Sequence, residues 1–89
     1  MALKIKFQEA EKFIASFGKV FAGKEISSFE VAYRIKGLVF EEGEILASLE
    51  LVENPQSPLT LVMSIERAAE LLEISIDWKA HGFRSKGKE

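Results

Sequence analysis

The chain contains no cysteine, and it has one histidine, one aspartate and two prolines. Without cysteine there are no disulfides, thiolate metal sites, thiol nucleophiles or iron–sulfur clusters. One His and one Asp leave little for a Ser-His-Asp arrangement or an imidazole metal centre, so neither catalytic nor metal-binding residues are expected. The prolines fall together in Asn54–Pro58, which confines the sharpest break in the chain to one place. No run approaches the roughly 18 apolar residues of a membrane helix. The opening MALKIKFQEAEKF also lacks the long apolar stretch of a secretory leader. The expectation is a cytoplasmic protein without a membrane segment.

What is present suits one small globular domain. Of 89 residues, 47% are hydrophobic and 29% charged, enough for a thin core and too apolar for a disordered chain. The net charge of −2 hides a block pattern. Residues 1–40 carry seven Lys/Arg against four Glu, residues 41–73 one Arg against eight Glu, and residues 74–89 four Lys/Arg against two acids. Two basic segments thus flank an acidic middle. Such a pattern suits ordinary solvated faces, or complementarity between copies or with a partner.

Periodicity divides the chain into elements. Leu3, Ile5 and Phe7 alternate with Ala2, Lys4 and Lys6, as in a short strand. From Gln8 the period changes: Ala10, Phe13, Ile14, Phe17, Val20 and Phe21 recur at helical spacing, with Gly23 as a stop. Phe29, Val31, Tyr33 and Ile35 then alternate as a strand. At Lys36-Gly37 the phase flips, placing Leu38 and Phe40 at even positions, which points to a bulge or bend. Glu41-Glu42-Gly43 suits a short hairpin loop with glycine at positive φ, and Ile45, Ala47, Leu49 and Leu51 form the returning apolar face.

Beyond the prolines, 65–73 reads as a helix. Residues 59–63 fit either state: Leu59, Leu61 and Met63 alternate, but Ser57-Pro58 makes a good helix start, and the balance leans to helix. Ile74, Ile76, Trp78 and Ala80 alternate with Ser75, Asp77, Lys79 and His81, as in a last strand. Residues 1–82 form the expected single domain, and 83–89 a flexible basic tail.

The resulting expectation is an α+β two-layer sandwich, an antiparallel sheet with two helices in the order β-α-β-β-α-β. That order resembles the ferredoxin-like split βαβ arrangement. If 59–63 is a strand, the alternative is an α-β-β-β-α meander. Both arrangements host many unrelated functions.

One segment resembles a DNA reader. SIERAAELLEIS, Ser64 to Ser75, is similar to the first helix and turn of excisionase-type and related winged-helix domains. Ser64 caps, and Ile65, Ala68, Ala69 and Leu72 make the buried stripe. The groove-entering second helix of that family does not follow, because 74–81 has the period of a strand. A different nucleic-acid surface is drawn by Lys79, His81, Phe83, Arg84, Lys86 and Lys88, where aromatic groups and cations interleave. Trp78, in phase with Ile74 and Ile76, reads as core instead.

Catalytic constellations are weak. His81 has no evident partner, Glu41, Glu42 and Glu44 sit at a solvated hairpin tip, and FGKVFAGKE lacks the spacing of a phosphate loop. No cofactor is implied. The sheet, by contrast, should have a second, partly apolar face carrying Ala32, Leu46, Ser48 and Val52. A second copy is the simplest cover for such a face. The sequence therefore points to a non-enzymatic protein-interaction or self-assembling module, a homodimer or other homo-oligomer, presenting a sheet face or strand edge to itself or a protein partner. A nucleic-acid-binding regulator is the alternative.

Overall fold

A long antiparallel hairpin sets the axis of the molecule in the computed structural model, which describes residues 3–85. Its arms are β3 (Val31–Glu41) and β4 (Glu44–Leu51). An eleven-residue strand spans about 36 Å, close to the 40 Å long dimension of the chain. Before the hairpin come β1 (Leu3–Lys4), helix α1 (Phe7–Phe21) and β2 (Glu25–Ser28). After it come β5 (Leu61–Ser64), helix α2 (Ile65–Leu72), a 3₁₀ turn at Trp78–His81 and β6 (Arg84–Ser85).

The main sheet is an antiparallel meander, β2-β3-β4-β5, curled into a half-barrel, while β1 and β6 pair separately. The architecture is α+β with two helices, as read from the sequence. The ferredoxin-like order is not present: the first and last strands pair only with each other and do not join the main sheet. A meander lies between the two helices instead, with β2 as a strand that periodicity did not show. Lys24–Ser28 contains one apolar residue, Ile26, which is enough because it is buried.

The phase flip at Gly37 is a bulge. Ile35 faces Leu49 and Gly37 faces Ser48, so Lys36 is an extra residue on β3. Tyr33 and Ile35 before the bulge, and Leu38 and Phe40 after it, all turn toward the core. A bulge adds local twist, and here it falls in the middle of the longest strand of a curled sheet. The loop between β3 and β4 is short and has its glycine at positive φ, as expected; Glu41 pairs with Glu44, so it is a two-residue turn, with Glu42 at φ 51° and Gly43 at φ 82°.

Two expectations for the second half are corrected. Residues 61–64 are a strand, with Leu61 and Met63 packed on the core and Leu59 exposed. Pairing with β4 satisfies the backbone of these residues, and this outweighs the helix start offered by Ser57-Pro58. Residues 74–81 are not a strand. Ile74, Ile76 and Trp78 do pack on the core, but residues 74–77 form no regular element and the chain then tightens into the 3₁₀ turn. Alternation thus marked a half-buried segment correctly without specifying a pairing partner. At the start, Phe7 opens α1 and is exposed, although Leu3 and Ile5 turn inward.

The core lies between the inner sheet face and the two helices. Phe13, Phe21, Ile35 and Ile45 are fully buried. Phe13 is its aromatic hub, stacked on Phe17 at 4.4 Å and met edge-on by Phe83 at 5.0 Å. Helix α2 contributes Ile65, Ala68 and Ala69, and Ser64 Oγ caps it by accepting from the Arg67 N–H at 3.2 Å.

Candidate interaction surface

Strand register places the outward side chains in rows. Val39 faces Leu46, which faces Ser64, and Gly37 faces Ser48, which faces Val62. This group stands on the sheet face turned away from the helices. Val62 is 46% exposed and Val39 37%, and Leu46 and Ser48 are half-buried. Val62 and Val39 extend the set named from sequence, and simple alternation would have found both once β5 and the bulge were known.

The next row is charged. Arg34 faces Glu50 on β4 and Glu25 on β2, and its guanidinium bonds both carboxylates at 3.1 Å. These bonds, to Glu50 first and then Glu25, raise the already high pKa of Arg34. One fork thereby ties three strands together on the outer face. It also divides the four residues proposed from sequence. Leu46 and Ser48 lie on one side, while Ala32 and Val52 lie on the other, joined by a bond from the Val52 N–H to the Ala32 carbonyl at 3.0 Å.

Ala32 and Val52 belong to a distinct end of the molecule. There β2 turns into β3 through Phe29 and Glu30, both with positive φ, 52° and 66°. Alternation places Phe29 in the strand, in phase with Val31, Tyr33 and Ile35. It is instead the turn residue, and it is 97% exposed. Beside it runs a groove lined by Glu30, Val31, Ala32, Leu51, Glu53 and Asn54. Sequence reading missed Phe29 because a two-residue turn of this type normally announces itself by Asn-Gly or Asp-Gly.

The opposite end carries the terminal strands. Lys4 reaches over the β3–β4 turn, with its ammonium 3.3 Å from the Glu44 carboxylate and donating to the Glu42 carbonyl at 3.0 Å. Arg84 lies across from Lys4, and Lys79 is exposed nearby in sequence on the 3₁₀ turn. Phe83, assigned from sequence to a loose basic tail, is instead 2% exposed and packs edge-on against Phe13 and Trp78. His81 meets Phe13 and Phe17 edge-on at 5.7 and 5.0 Å. Lys86 and Lys88 lie outside the described residues. Of the six residues drawn as a nucleic-acid surface, the described part thus offers two exposed cations, a half-buried imidazole and no free aromatic face.

Among the described residues no three His, Asp or Glu side chains gather as a metal site, and no helix is long and apolar enough to cross a membrane. No known protein family, curated protein or solved structure matches this chain. The surface itself is therefore the ground for a functional reading.

Proposed function

We propose that this protein is a small non-enzymatic interaction module that self-associates through the outer face of its sheet, around Val39, Leu46, Ser48 and Val62. The observation that carries this reading is the uncharged, partly apolar group on that face, uncovered by either helix of its own chain. Sheet faces pack readily on one another with side chains interdigitated. A two-fold arrangement lets one self-complementary patch serve both partners. A standard interface needs about 800 Å² per partner, a modest share of the 6104 Å² surface of this chain. The sheet edges support the reading less well, because β2 and β5 are each four residues long. The nucleic-acid alternative has less to rest on, since Phe83 and Trp78 are committed to the core.

Sedimentation velocity from about 1 μM to about 1 mM tests the proposal. A concentration-dependent dimer is expected, reduced to monomer by the double substitution Val39→Lys and Val62→Lys. Both sites are exposed, so the variant keeps its fold. A wild-type chain that stays monomeric over the whole range overturns the reading.

A further inference from the structure

The tip of the β2–β3 turn combines two costs that the fold itself does not require. Phe29 and Glu30 both occupy the left-handed region, where a side chain beyond Cβ is disfavoured and Asn-Gly would serve better. Phe29 also exposes 97% of its surface instead of burying it. Strain and exposure held together at one point are the usual marks of a site kept for contact. The groove beside it is lined by the apolar residues Val31, Ala32 and Leu51 together with Glu30, Glu53 and Asn54, and by no Lys or Arg. Neither carboxylate has an ion-pair partner among the described residues. The cation of the adjoining row, Arg34, is taken by Glu25 and Glu50.

Charge selects the occupant. Two copies docked tip to tip would bring like carboxylates together, whereas a cationic segment would neutralise them. An aromatic face open to solvent next to carboxylates suits the same cations. We infer that this end of the molecule docks a basic protein segment, whose apolar side chain enters the groove while flanking Lys or Arg meets Glu30, Glu53 and the face of Phe29. This site lies beyond the charged row of Arg34 and does not depend on self-association through the opposite end of the sheet face.

The test uses the full chain and the fluorescein-labelled peptide Ser-Gly-Lys-Leu-Lys-Gly-Ser, read by fluorescence polarisation. Saturable binding is expected in the range of about 10 μM to 1 mM, weakening on a rise from about 50 to 300 mM salt. Control peptides with Glu in place of Lys, or Ser in place of Leu, should bind at least about fivefold more weakly. The double substitution Glu30→Gln and Glu53→Gln should cost at least about fivefold, and Phe29→Gly about threefold or more. The double substitution Val39→Lys and Val62→Lys should leave peptide binding unchanged while altering sedimentation. Absence of saturable binding, or equal binding by the Glu30→Gln and Glu53→Gln protein, overturns the inference. So does a Phe29→Gly protein that loses dimerisation yet keeps peptide affinity, since the tip would then belong to the contact between copies.

Discussion

The residue that most repays attention is Phe29, because its backbone and its side chain are both in unfavourable surroundings. A left-handed non-glycine residue costs roughly 1–2 kcal/mol. Replacing Phe29 with Asn and Glu30 with Gly should therefore raise unfolding free energy by about 1–3 kcal/mol in urea titration. A variant no more stable than the wild type would show that the turn is unstrained. Phe83 presents the reverse case: an aromatic in a basic stretch that is wholly buried. Its truncation to Ala should cost about 3–5 kcal/mol by the same measurement. Gly82 makes that burial possible. It turns the chain at φ 91°, and a Cβ there would lie 2.9 Å from Cγ of Glu9 on α1. Gly82→Ala should be more damaging than Gly23→Ala, whose φ of 85° is similar but whose Cβ would meet nothing within 4 Å.

At the scale of elements, the bulge in β3 is the informative feature. Because Lys36 is the extra residue, deleting it restores simple alternation, with Gly37 opposite Ser48 and Leu38 still inward opposite Ala47. The deletion should leave a cooperatively folded protein by thermal melting followed with circular dichroism. Deleting Val39 instead turns Phe40 outward and breaks the Glu41–Glu44 turn register, so cooperative melting should be lost. Equal damage from both deletions would mean that the bulge supplies more than an accommodated residue. Helix α2 has a simpler dependence: Ser64→Ala removes its cap and should cost about 1 kcal/mol.

At the scale of the whole molecule, the long hairpin separates two ends with different chemistry. One end joins the terminal strands to the β3–β4 turn through Lys4, and the other presents Phe29 and the acid-lined groove. The closure by β6 makes Phe83 part of the domain. A chain ending at Gly82 should lose at least the 3–5 kcal/mol, roughly, of the Phe83 truncation, a large share of a typical stability of about 5–15 kcal/mol. A chain ending at Ser85 retains Phe83 and the pairing of β6 with β1, and should melt well above the chain ending at Gly82. Similar melting of both shortened chains would contradict this account of Phe83.

The sequence by itself determined the features that depend on near neighbours. Apolar spacing marked α1 and α2, the glycine phase flip marked the bulge, and Glu41-Glu42-Gly43 marked the short hairpin loop, because each is set by local sterics or by one buried face. It also separated the outer-facing Leu46 and Ser48 from the inner-facing Ile45, Ala47 and Leu49. Tertiary structure decided what depends on distant partners. Residues 61–64 became a strand because β4 offers them a ladder, and 74–81 packed on the core without pairing because β1 takes the last strand elsewhere. The same holds for the proposed sites. Alternation could place Ala32 and Leu46 on one face, but only the register shows that Arg34 and its two carboxylates stand between them.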